Sequence, residues 1–276
     1  MESKADSITL HPWRGNSVSP EVKHYHIYFI TGNPGVISLY APFFSRLEFL
    51  LNKSGHTRYH IYGSSLPGFE LQSADREAKL PASLEQQIIH TEILINKMIS
   101  SQFKDDKKAP KVILMGHSIG CYILLEIFRR RNENISHLKN IDLRGGILLF
   151  PTITHIGQSR NGKIASSLFQ IPYFVDIAPT LVKILFCLVP VKLLCLLIQI
   201  FAWMPPVGAL ACAKFIRSPL GVYQALYMAK DEMETVNEDR WGADIWGSRH
   251  SDNKTAVLPL IMYFGEQVCC ANSECL

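Results

Sequence analysis

Gly116-His117-Ser118-Ile119-Gly120 is the segment of this chain best fitted to do chemistry. The pattern G-x-S-x-G puts a serine hydroxyl on a strained turn from strand to helix, exposed above the carboxyl edge of a sheet. A hydroxyl held there can attack an acyl carbon. Gly116 and Gly120 omit side chains that would collide with neighbouring backbone. The helix starting at Ile119 offers its positive dipole end and a backbone N–H to an oxyanion. The pattern alone also occurs in structural turns. A buried run before it and a helical run after it favour the catalytic reading, with Ser118 as nucleophile.

An oxyanion hole needs a second donor, usually from the loop after an earlier strand of the same sheet. Thr31-Gly32-Asn33-Pro34-Gly35 fits that place. Pro34 has no N–H, so the donor is assigned to the backbone of Asn33. Taken alone, Asn-Pro-Gly is an ordinary turn; the elbow is what makes it a candidate. His117 adjoins Ser118 but points away from its hydroxyl, and reads as a packed or surface residue. His24, His26, His60 and His155 read as strand or loop residues, and their spacing offers no metal set. No metal and no cofactor is expected.

These residues need a sheet to hold them. Tyr25–Ile30 is β-branched and aromatic and stops at Gly32, which predicts a strand and a tight loop. Helical spacing follows from Tyr40 to about Asn52. His60–Tyr62 is a short strand, and Leu84–Ile99 is helical. Lys111–Gly116 and Gly146–Phe150 are short apolar runs of the buried parallel type. A helix from Ile119 to about Arg131 lies between them, and Val257–Phe264 is the final strand. Strands alternating with helices predict an α/β class with a mainly parallel sheet.

Residues 164–213 break the alternation, with Asp176, Lys183 and Lys192 as their only charged residues. The charge-free gap between Lys192 and Lys214 matches the roughly 20 residues of a membrane span. Pro205, Pro206 and Gly208 interrupt it, and Leu193–Met204 would reach only about 18 Å as a helix. Short apolar helices joined by prolines dip into a lipid surface and return. Lys183 and Lys192 can snorkel to headgroups, and Trp203 suits an interface. The competing reading is a buried lid over a pocket.

The chain has 276 residues, 47% of them hydrophobic and 19% charged, which excludes a disordered chain. A net charge of +4 with no basic stripe argues against nucleic acid. Seven cysteines without a C-x-x-C pair point to a reducing compartment rather than a disulfide framework. The first residues, Met1 to Asp6, lack the apolar core of a secretory signal. One domain over 1–276 is expected, with 155–250 as a helical insert.

Together these residues resemble the lipid droplet-associated hydrolase family of the α/β-hydrolase superfamily. The resemblance rests on Thr31–Gly35 with Tyr40 and Phe43, on Gly116–Gly120, on Leu149-Phe150-Pro151-Thr152-Ile153, and on Ser159-Arg160-Asn161-Gly162 followed by the apolar insert. It implies an α/β-hydrolase fold and an ester hydrolase of sterol esters or acylglycerols. It also implies attachment to the lipid droplet monolayer or the endoplasmic reticulum surface on the cytosolic side. Ser118 carries over as nucleophile.

The family also has an acid shortly after the last strand read here and a later histidine. Its acidic position falls near Val268, and no histidine follows His250. The family's order of serine, acid and histidine is therefore not completed, with Glu266 and His250 as the remaining candidates to stand in for acid and base, and little or no hydrolase activity is expected of the chain as written. The family's sheet continues and is covered by a final helix. Both are expected to be missing here, leaving an exposed apolar edge. Three function classes follow: a lipid-surface serine hydrolase, a non-catalytic droplet protein, and a small-molecule esterase whose insert is only a lid.

Overall fold

The computed structural model describes residues 2–4, 6–11, 22–53, 57–71, 81–102, 109–138, 140–247 and 258–265. The strands are β1 (Glu2–Lys4), β2 (Ser7–Leu10), β3 (Lys23–Ile30), β4 (Thr57–Ser64), β5 (Lys111–His117), β6 (Asp142–Leu149) and β7 (Leu260–Tyr263). They form one sheet in the order β1-β2-β4-β3-β5-β6-β7. From β4 to β7 every pair is parallel, while β1 and β2 add antiparallel. This is an α/β-hydrolase type of alternation.

Side chains alternate across the pleat, and both faces are covered. Ile27 and Phe29 of β3 and Met115 of β5 pack with Phe44 of α1 (Ala41–Leu51), with Ile37, and with Ile8 and Leu10 of β2. Tyr28, Ile30, Val112 and Leu114 face the other way. They meet α2 (Leu84–Gln102) and α3 (Ile119–Asn132) through Ile88, Ile95, Leu124 and Phe128. Strands buried on both faces read as continuous apolar runs, which is why β3 and β5 were legible in the sequence.

Strand bounds differ from expectation at three places. β4 extends on both sides of His60–Tyr62, since its neighbours pair with β3 from Lys23 onward. β6 begins at Asp142, not Gly146. One extra residue, Arg144, stands between the pairs Val112–Leu143 and Ile113–Gly145, and this irregularity hides the start of the strand from a periodicity argument. β7 is confined to Leu260–Tyr263 among the described residues, and Val257 lies outside them. Among the described residues β7 is the last strand of the sheet, with Ile261, Met262 and Tyr263 exposed.

Between β6 and β7 the chain is helical: α4 (Arg160–Phe169), α5 (Phe174–Phe186), α6 (Val191–Ala202), α7 (Pro206–Arg217), α8 (Gly221–Thr235) and the short α9 (Ala243–Trp246). Proline breaks fall before α6 and α7 as expected, but Pro179 lies inside α5. Among the described residues no single helix is long and apolar enough to cross a membrane. Two bent pairs pass that test together, α4 with α5 at 98° and α6 with α7 at 119°.

Candidate active site

The sheet register brings the two candidate loops together. Ile30, the last residue of β3, pairs with Gly116 near the end of β5. The loop 31–35 and the turn at Ser118 therefore leave the same edge side by side. Ser118 has φ 53 and ψ −124, a conformation that costs a non-glycine residue on the order of 1–3 kcal/mol. The fold holds it there from several sides. Its N–H donates to Leu149 O at 3.0 Å, and its own carbonyl accepts from Cys121 N at 2.9 Å and Thr152 N at 3.2 Å.

The glycines of the elbow are required by contact. A Cβ on Gly120 would lie 2.4 Å from Ile30 O, and one on Gly116 would lie 2.6 Å from Gly120 O. Both neighbours are backbone and cannot yield. A Cβ on Gly32 would meet His117 Nδ1 at 2.9 Å and Ser118 Cβ at 3.1 Å. The loop after β3 thus lies against the serine.

Around Ser118 the polar groups divide into three sets. Its hydroxyl faces Thr152 Oγ1 at 3.3 Å. Gly32 N–H donates to Tyr40 Oη at 3.1 Å, and that hydroxyl stands 3.0 Å from His117 Nδ1. The Gly32 N–H is therefore engaged. Ile119 opens α3, so its N–H belongs to the unpaired first turn of that helix. Burial pushes the Tyr40 hydroxyl up to about 12 and lowers His117, so both are neutral near pH 7. His117 is half-buried and turned to Tyr40 and Phe150, in line with its reading as a packed residue.

The third set ties the loop to α8. Asn33 Nδ2 donates to Ala225 O at 3.0 Å and to Glu232 Oε1 at 3.1 Å. Glu232 is only 5% exposed. Burial pushes its carboxyl up to about 8, the Asn33 bond works against that rise, and Asp231 adds to it. The carboxyl is neutral at pH 7 and accepts from Asn33 without a buried charge.

Sequence reasoning missed Thr152 and Glu232 as neighbours of the site. Glu232 had a signal: Gln224, Met228 and Glu232 recur every four residues and are the buried face of α8. Thr152 had only its place in the Leu149–Ile153 motif; no local pattern showed that a bend at Phe150, with φ 47, carries the chain from β6 back to Ser118. His24, His26 and His60 lie elsewhere. His26 pairs with Val112 and His60, which places it four residues, about 13 Å, along the sheet from Gly116. His155 precedes a short 3-10 helix. Among the described residues no group of three or more His, Cys, Asp or Glu is placed to hold a metal ion. His250 and Glu266 lie outside the described residues.

The family described as "Lipid-droplet associated hydrolase" matches residues 23–268. The chain belongs to the lipid droplet-associated hydrolase family. Its relatives include a lipid droplet-associated hydrolase of Dictyostelium discoideum, 33% identical over 47% of this chain and 38% of that one. The Homo sapiens protein of the same name is 30% identical over 51% of this chain and 42% of its own length. The matched stretch is thus less than half of either relative. A soluble variant of the Saccharomyces cerevisiae monoglyceride lipase is structurally similar at a TM-score of 0.37, 19% identity, and coverage of 64% of this chain and 47% of that one.

Proposed function

We propose that this chain is a serine ester hydrolase of lipid surfaces, with Ser118 as nucleophile and the backbone N–H groups of Asn33 and Ile119 as oxyanion donors. The observation that carries the reading is Ser118 held at positive φ on the turn from β5 to α3, with the Gly32 loop against it. The name shared by its relatives supports a hydrolase at the lipid droplet; the reading adds lipid esters, sterol esters or acylglycerols, as substrates and the endoplasmic reticulum surface as a second place of action. The insert supports a lipid surface independently. Leu188, Phe201 and Trp203 are 91%, 80% and 91% exposed, and burying one such side chain in hydrocarbon is worth on the order of 2 kcal/mol.

In this reading Ser118 Oγ attacks the ester carbonyl and the oxyanion that forms turns toward the two backbone donors; the ester C–O bond then breaks, the alcohol leaves with the proton of the serine hydroxyl, and water cleaves the acyl-enzyme to release the carboxylic acid and restore the hydroxyl. Labelling of the purified chain by a fluorophosphonate, abolished by Ser118→Ala, is the expected outcome.

A second reading rests on the Ser118–Thr152 contact. Among the described residues the serine hydroxyl faces another hydroxyl rather than an imidazole, and a serine without a base is a weak nucleophile. Absence of labelling, with droplet localisation retained, would favour a non-catalytic surface protein of the same fold. Cell fractionation separates both from a small-molecule esterase with a closed lid, which would not float with lipid.

A further inference from the structure

The net positive charge of this chain falls in its apolar insert, although charged residues are sparse there. Residues 160–217 carry the bases Arg160, Lys163, Lys183, Lys192, Lys214 and Arg217 against a single acid, Asp176. That is a net charge of +5, where the whole chain has +4. The most apolar part of the molecule therefore carries an excess of bases that the rest of the chain does not.

The fold gathers four of these cations at one end. Lys183 is in the last turn of α5, Lys192 in the first turn of α6, and Lys214 and Arg217 in the last turn of α7. Arg217 Nη1 donates to Val189 O at 2.9 Å, which fixes the end of α7 to the connection between α5 and α6. All four are exposed. Asp176 stands at the other end of α5, where its carboxylate accepts from Tyr223 Oη at 3.3 Å.

The opposite end of α6 and α7 is their bend, 119° between the helix axes. Phe201, Trp203 and Val207 are exposed there, and no charge occurs between Lys192 and Lys214. α6 has 12 residues, about 18 Å at the helical rise. One leaflet of hydrocarbon is about 15 Å deep, half of a bilayer core. The pair is an apolar wedge of one-leaflet depth whose basic end stays at headgroup level.

We infer that the insert docks on a lipid surface carrying anionic phospholipid, with the bend at Phe201–Val207 in the hydrocarbon and Lys183, Lys192, Lys214 and Arg217 at the phosphates. The inference rests on the lipid-surface part of the proposed function and adds the headgroup class. A basic residue near an anionic surface raises partition by about fivefold, so several together dominate a neutral surface. The lysines reach the phosphates with their charged ends while their stems stay among Leu185 and Leu188.

Flotation of the purified chain with vesicles tests it. One set is phosphatidylcholine alone, and the other contains about one part in five phosphatidylserine, enough to set up a negative surface potential. The chain should bind the anionic vesicles at least tenfold more tightly. Salt should erase most of that preference as the Debye length falls from about 10 Å at 0.1 M to about 3 Å at 1 M. The combined change Lys183→Gln, Lys192→Gln and Lys214→Gln should cut the preference to no more than the roughly fivefold that Arg217 alone supports while leaving binding to phosphatidylcholine, with unchanged far-ultraviolet circular dichroism as the folding control. Phe201→Ser with Trp203→Ser should weaken binding to both.

Equal, salt-insensitive binding of the unmodified chain to both vesicles would overturn the inference and leave the lipid-surface reading standing. Binding to neither would overturn both. If the triple variant misfolds, the salt series on the unmodified chain still decides.

Discussion

Glu232→Gln should change how stability depends on pH. The carboxyl is buried and accepts from Asn33, and its folded value is about 8 against an ordinary 4.5. The folded state therefore holds a proton that the unfolded state has released anywhere between those values. Stability from this group is fully present below about pH 4.5 and is lost as pH rises through about 8. Between pH 5.5 and 7.5 the loss amounts to about 2.5 kcal/mol, or some 5–10 °C in Tm for a domain of this size. Lowered histidines such as His26 and His117 act in the opposite sense, because the unfolded state binds their protons first. The difference between the parent chain and Glu232→Gln isolates the carboxyl. Glutamine keeps an oxygen acceptor for Asn33 but cannot ionise. Thermal unfolding at pH 5.5 and 7.5 should show the variant gaining relative to the parent by about that margin as pH rises. Parallel profiles for the two proteins would refute a neutral buried Glu232, and with it the account of how α8 holds the loop at Asn33.

Gly120→Ala should destabilise by about 3 kcal/mol or more, since its methyl would meet Ile30 O and Thr31 O, both backbone; denaturant unfolding measures it. Tyr40→Phe removes the hydroxyl between Gly32 N–H and His117 and leaves that amide unpaired, at a cost of about 1–3 kcal/mol. Its fluorophosphonate labelling rate should fall, and an unchanged rate with a lowered Tm would make the tyrosine purely structural. Gly32→Ala should slow labelling more than it lowers Tm, because the new methyl presses on Ser118 Cβ and His117 at the site itself. A loss of Tm without slower labelling would count against the loop as an oxyanion element.

Local pattern carried much of this protein. The apolar runs of β3 and β5, the glycines around Ser118 and the proline-broken helices from Ile164 onward are short-range features, and short-range sterics and hydrophobic periodicity determine them. The elbow was legible because its glycines answer to backbone a few residues away. What tertiary structure decided is which loops share an edge and which buried polar groups meet. The pairing of Ile30 with Gly116 sets Gly32 against Ser118 across 85 intervening residues. The fold closes Asn33 on Glu232, 199 residues later, and no local pattern encodes such a contact. The raised carboxyl of Glu232 follows from burial, a property of the packed molecule and not of the residue. The antiparallel β1–β2 pair escaped sequence reading for a similar reason: strands of three and four residues have too short a period to see, and exist only because β4 offers them an edge. The gathering of Lys183, Lys192, Lys214 and Arg217 is likewise tertiary, because it takes the bend at Trp203 to return α7 to the start of α6.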